Sequence, residues 1–143
     1  MTSEYSCSID GTCTVNVRRP RNTDTKQDDT EYSSYVKPIS TREQFKKAIS
    51  DGQCFIDAYA TWCGPCTKFA PTYAKIASEH PILNFYKMDI DIPEIKQIAD
   101  KLKIKTLPTF LLYANGERIM TVQDEMDYKK KIEDIIDAIE ADD

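Results

Sequence analysis

Cys63 and Cys66 stand three residues apart in the segment Trp62-Cys63-Gly64-Pro65-Cys66, and two thiols at that spacing can close and reopen a disulfide. In a helix, positions i and i+3 share a face, so the two side chains would meet. Opening and closing such a bond moves two electrons, which is thiol–disulfide exchange. The first turn of a helix presents unpaired N–H groups and the positive end of the macrodipole, and both favour a thiolate over a thiol. The thiolate is the attacking species. Cys63, at the mouth of the helix, is therefore expected to be an exposed, easily deprotonated nucleophile, and Cys66, one turn deeper, the resolving thiol. Pro65 suits an early helical position, where its missing N–H removes no bond.

Asp57 interrupts the apolar run Cys54-Phe55-Ile56-Asp57-Ala58-Tyr59-Ala60 just before the two thiols. A carboxyl group there loses hydration, so its pKa should rise, leaving a proton acceptor rather than a permanent anion. The alternative is a satisfied structural aspartate. A Cys-x-x-Cys pair also suits zinc, yet a structural zinc site takes four cysteine or histidine ligands. The chain adds only His80 and the scattered Cys7, Cys13 and Cys54, so no metal is expected. Cys54 reads as a small buried hydrophobe. His80, preceding Pro81 at a helix end, is given no catalytic role.

The elements that must position these groups follow from periodicity. Val36 and Ile39 open a short strand, and Ser40 with Glu43 has the spacing of a capping box leading into a helix with Phe45, Ala48 and Ile49. Residues 53–60 are too apolar for a surface strand and read as a central one, buried on both faces. Phe69, Tyr73, Ile76 and Ala77 continue the dithiol segment as a long amphipathic helix. Residues 82–89 form the next strand, and Pro93 starts a helix with Ile95, Ile98, Ala99 and Leu102 inward. Residues 110–113 and 118–122 are strands joined at Asn115-Gly116, a strong hairpin signal. Tyr128, Ile132, Ile135, Ile136 and Ile139 stripe a last helix. Strands alternating with helices and ending in a hairpin imply an α/β fold, a central mixed β-sheet flanked by helices on both faces. The thiols then lie where a strand's carboxyl end meets a helix N-terminus, the usual place for a site in such sheets.

On these residues the chain resembles the thioredoxin family, over roughly residues 35–143. Asp57 precedes the first motif cysteine by the family's six residues, Ala70-Pro71 fall at its place for a helix kink, and Thr106-Leu107-Pro108-Thr109 resembles its cis-proline loop. The resemblance implies the thioredoxin fold and a protein disulfide reductase serving redox homeostasis, with Gly64-Pro65 similar to reducing members. It implies that Cys63 attacks a substrate disulfide, Cys66 resolves the mixed disulfide, and Asp57 takes the Cys66 proton through water. Lys87, on the neighbouring strand, would pair with Asp57; a merely solvated lysine at a strand end is the alternative. Pro108 would be cis and face the dithiol, rather than mark a plain turn. The exposed backbone of Leu107 would pair with an extended substrate segment, and Trp62, Gly64 and Pro65 would form a flat apolar contact. No cofactor is implied beyond the Cys63–Cys66 disulfide. The implied partners are disulfide-containing proteins and a recycling enzyme of the thioredoxin-reductase type.

Some positions depart from the family pattern. Val122-Gln123-Asp124 stand where a glycine is common, and with Glu125 and Asp127 they make an acidic lip expected to disfavour acidic partners. Tyr59 stands where a tryptophan is usual, and Thr67 replaces a basic residue. Neither removes a reacting group.

At 143 residues the chain fits one core, since a domain of about 110 residues buries roughly 65% of its unfolded surface. No apolar run is long enough to span a membrane, and the first residues lack the basic and apolar stretches of a secretory leader. A net charge of −5 argues against nucleic acid. A cytoplasmic monomer is expected, in a reducing compartment where a Cys-x-x-Cys pair reads as redox-active. Residues 1–34 read as a flexible polar N-terminal extension and 35–143 as the thioredoxin-like domain. Within the extension, Asp10-Gly11 favours a hairpin that would bring Cys7 towards Cys13, as two free thiols or as a regulatory disulfide. A binding module or assembly subunit without turnover is the second class of function. A secretory oxidant or isomerase is a third, weakened by the missing leader.

Overall fold

The computed structural model describes the backbone of residues 7–8 and residues 33–141. Its strands are β1 (Cys7–Ser8), β2 (Lys37–Ile39), β3 (Gln53–Tyr59), β4 (Asn84–Asp89), β5 (Thr106–Leu107), β6 (Thr109–Ala114) and β7 (Glu117–Val122). Its helices are α1 (Arg42–Ile49), α2 (Gly64–Glu79), α3 (Pro93–Lys101) and α4 (Tyr128–Ala141), and a 3-10 turn lies at Ser33–Tyr35. Five strands make one mixed sheet in the order β2-β4-β3-β6-β7. β3 is central, parallel to β4 and antiparallel to β6, which accounts for its unbroken apolar character.

Side chains alternate across a strand, and here the alternation divides the core in two. Cys54, Ile56, Ala58, Leu111 and Tyr113 pack with α1 and α3, joined by Phe45, Ile95 and Ile98. Phe55, Phe110 and Leu112 pack with α2 and α4, joined by Tyr73, Ile76, Ile132 and Ile136. Phe110 has no exposed surface, and its ring centroid lies 5.4 Å from those of Tyr73, Phe69 and Tyr128. Phe110→Ala should therefore destabilise the fold by about 3–5 kcal/mol, measured by urea unfolding, because the cavity left is walled by rings from two helices that cannot all collapse inward. A loss below about 1 kcal/mol would mean that the ring cluster is not the core of this face.

Three local readings are corrected. The cap of α1 is Thr41, not Ser40: Thr41 Oγ1 accepts the Gln44 N–H at 3.1 Å, while Ser40 donates its own N–H to Gln44 Oε1 at 2.7 Å. Gln44 thus takes the place of Glu43, but its side chain reaches back to the N–H of Ser40, the residue before the cap, so the reciprocal box is shifted rather than closed on Thr41. β4 begins at Asn84 rather than residue 82, because the chain after His80 turns, with the Leu83 N–H donating to the His80 carbonyl at 3.1 Å. Ile82 is left 70% exposed. Lys87 lies within β4 rather than at its end.

At Asn115-Gly116 both residues have positive φ (51° and 88°), as a type I′ hairpin turn needs. β1 lies within the segment read as an extension, and it runs antiparallel to β5, with Cys7 opposite Leu107 and Ser8 opposite Thr106. The hairpin at Asp10-Gly11 and any Cys7–Cys13 bond lie outside the described residues.

Candidate active site

β3 ends at Tyr59, and after Ala60-Thr61-Trp62 the chain enters α2 with Cys63 as its N-cap and Gly64-Pro65 in its first turn. Cys63 and Cys66 are joined by a disulfide, with their Cα atoms 5.3 Å apart. The Cys66 N–H donates to Cys63 Sγ at 3.2 Å. In the reduced protein that amide and the helix dipole act on the same sulfur, and both favour its thiolate. Thr67 tightens the turn by donating its hydroxyl to the Cys63 carbonyl at 3.2 Å.

The dithiol is not exposed, contrary to the expectation for Cys63. Cys63 has 0% and Cys66 3% of its surface open. The N-cap places both cysteines in the cluster that contains Leu107, Ala58 and Ala60, with Trp62 packed against it. Among the other predicted contact residues, Gly64 is exposed, Trp62 and Pro65 are half-buried, and Leu107 and Pro108 are buried, so Leu107, expected to be exposed, is not. The Leu107–Pro108 bond is cis. Thr109 Oγ1 donates to the Thr106 carbonyl at 2.6 Å and closes this loop on itself. A threonine at the head of the apolar run Phe110-Leu111-Leu112-Tyr113 is the signal that a sequence reading could have used, since a hydroxyl buried there must find an acceptor.

Asp57 is 5% exposed, and its Oδ1 has no hydrogen-bond partner among the described residues. Burial pushes its carboxyl from 3.8 up to about 7, while the charge of Lys87 pulls the other way. The parallel register sets Asp57 opposite Lys87 on the neighbouring strand. The Lys87 ammonium lies 6.0 Å from the Tyr59 ring centroid, at the outer range of a cation–π contact. Tyr59, at the position where the family usually has tryptophan, thus supplies an aromatic face to that lysine.

Asp91 was missed by the sequence reading. The Trp62 Nε1–H donates to both of its carboxylate oxygens, at 3.2 and 3.0 Å, fixing the indole beside the dithiol. An acidic residue on the loop after β4 carries no local mark of that pairing. Cys54 takes no part in the site: it is buried, donates to the Ala48 carbonyl at 3.6 Å, and burial pushes its thiol up to about 12. His80 Nδ1 lies 2.9 Å from Glu140 Oε2, joining α2 to α4 away from the chemistry. Among the described residues, no group of three or more His, Cys, Asp or Glu side chains converges as a metal site would, and no helix is long and apolar enough to cross a membrane.

The family model for thioredoxin matches residues 36–139, most of the chain. The chain belongs to the thioredoxin family. It is 39% identical over 88 residues to thioredoxin-1 of Saccharomyces cerevisiae, covering 61% of this chain and 84% of that protein. To a thioredoxin of Malassezia sympodialis it is 43% identical over 91 residues, with the same coverage. The crystal structure of a Malassezia sympodialis thioredoxin superimposes with a TM-score of 0.64 at 33% identity, covering 86% of this chain and 96% of the other. A Plasmodium falciparum thioredoxin gives a TM-score of 0.65 at 29% identity, covering 72% and 98%. The fold is the thioredoxin fold, and the protein is a thiol–disulfide oxidoreductase that reduces protein disulfides.

Proposed function

We propose that this thioredoxin family member works in the cytoplasm without any cofactor beyond its own disulfide, and that each residue of the site has a distinct task. Cys63 thiolate attacks one sulfur of a partner's disulfide, forming a Cys63–partner bond and releasing the other partner sulfur as a thiolate. Cys66 then attacks Cys63 Sγ, releasing the second partner thiolate and restoring the Cys63–Cys66 disulfide. Two electrons have passed to the partner. Asp57 receives the Cys66 proton, by way of water, as that thiol becomes a nucleophile, and Lys87 tunes the carboxyl electrostatically. Trp62, Gly64 and Pro65 meet the partner's surface, and the main chain before Pro108, at Leu107, takes up its extended segment. A recycling enzyme of the thioredoxin-reductase type returns the two electrons.

The observation that carries this reading is the Cys66 amide directed at Cys63 Sγ, which makes the two sulfurs inequivalent. Reduction of insulin disulfides, with dithiothreitol supplied to recharge the protein, tests it: catalysis above the dithiothreitol background is expected, and its absence would leave a scaffold without turnover.

Asp124, with φ of 57° just beyond β7, and Asp127 are exposed, Glu125 is half-buried, and among the described residues none of the three is in a salt bridge. Disulfide peptides with basic flanks should be reduced about threefold faster than acidic ones at low salt, the gap closing at high salt. Equal rates at low salt would remove the lip from partner choice.

A further inference from the structure

β5 belongs to none of the pairings of the five-stranded sheet; its partner is β1. The two-residue edge Thr106–Leu107 therefore presents its backbone outward, next to Pro108, which has no N–H to offer. It is the kind of edge to which an extended chain adds as a strand. Here that place is taken by the chain's own Cys7–Ser8, antiparallel and in register with Leu107 and Thr106. A second observation agrees. Cys63, whose sulfur must meet a partner's disulfide, has no exposed surface, and neither has Leu107.

We propose that the Cys7–Ser8 strand is an internal competitor for the partner-binding edge, so that a disulfide-bearing segment must displace it before Cys63 can attack. This rests on the reading that Thr106–Leu107 receives the partner's backbone. A tethered strand needs little intrinsic affinity, because attachment to the same chain holds it at a high local concentration. Two residues also bury little surface, so displacement is within reach of a longer partner segment that adds contacts at Trp62 and Pro65. Strand occupancy thereby selects against weak partners without altering the dithiol.

The test compares two full-length variants that both lack the Cys7 thiol, Cys7→Ser and Cys7→Pro/Ser8→Pro. They differ in the backbone N–H groups that a strand needs. The proline variant should expose whichever of the Thr106 and Leu107 amides faces β1 to hydrogen exchange about tenfold faster in the oxidised protein, since adjacent residues of an antiparallel pair alternate in facing the partner and the one that does is worth a short ladder bond or two. Its KM for insulin should fall by up to about the same factor with kcat unchanged, since a site blocked most of the time binds more weakly in proportion. Unchanged exchange overturns the docking of β1. Faster exchange with an unchanged KM keeps the docking but overturns the partner-edge reading on which competition depends. A Cys7→Ser variant with as low a KM as the proline variant, against the parent, overturns backbone competition in favour of the thiol. Failure of both variants and the parent to reduce insulin at all sinks the proposed reductase chemistry instead.

Discussion

Cys63→Ser should reduce turnover of protein disulfides by at least about 10⁴-fold, the scale on which loss of an attacking nucleophile acts. A serine hydroxyl does not ionise under these conditions, so the amide of Cys66 and the helix dipole then have no thiolate to stabilise. Cys66→Ser has an equally low turnover but a different end point. Its Cys63 still attacks, the mixed disulfide forms, and nothing remains to resolve it. One equivalent of partner should accumulate on the protein, seen as a higher-mass band without reductant that disappears when reductant is added. Incubated with a cell extract, the same variant should retain natural partners for identification. The result that reverses the assignment is also simple: if Cys63→Ser accumulates the adduct and Cys66→Ser does not, the attacking and resolving sulfurs have been exchanged.

Asp57→Asn should change both stability and rate, and the pH dependence separates the two. In the fold the Asp57 carboxyl holds its proton up to about pH 7, whereas unfolded it loses it near the ordinary 3.8. Below that lower value both states are protonated and the fold has its full stability. Between the two values only the folded state keeps the proton, so stability falls as pH rises, and the loss is complete above about 7. The total is about 4 kcal/mol, at roughly 1.4 kcal/mol per unit of separation. Asn is neutral and nearly isosteric, so the variant should be up to about 4 kcal/mol more stable than the parent at pH 8 and close to it at pH 4, measured by urea unfolding. Resolution by Cys66 should slow by about 10²-fold, as expected when a positioned proton acceptor is removed. The rate profile should also lose its inflection near 7. A variant with the parent's pH dependence of stability would show Asp57 to be an ordinary ionised carboxylate, and an unchanged resolution rate would leave it a structural residue.

These two sites differ in how far they were legible. The dithiol is a local feature: a helix brings i and i+3 together whatever surrounds it, and Pro65 marks where that helix starts. Asp57 could be read as perturbed because a single carboxyl in an apolar run has few other fates. The hairpin at Asn115-Gly116 is also local, needing positive φ at two residues suited to it. The capping box was legible in kind but not in register, since adjacent Ser40 and Thr41 both carry a hydroxyl and only the geometry selected Thr41.

Sequence alone determined what short-range physics can determine: the disulfide-forming pair, the buried carboxyl, the alternation of strands with helices, and through them the α/β class. Tertiary structure decided everything that depends on which distant segments touch. The register of β3 on β4 sets Lys87 beside Asp57, Asp91 fixes the Trp62 indole, and packing hides Cys63 instead of presenting it. Strand β1 came to rest on β5. Such contacts join groups far apart along the chain, and their energy comes from shared burial and paired backbone. Nothing in either segment by itself records the partner it will meet.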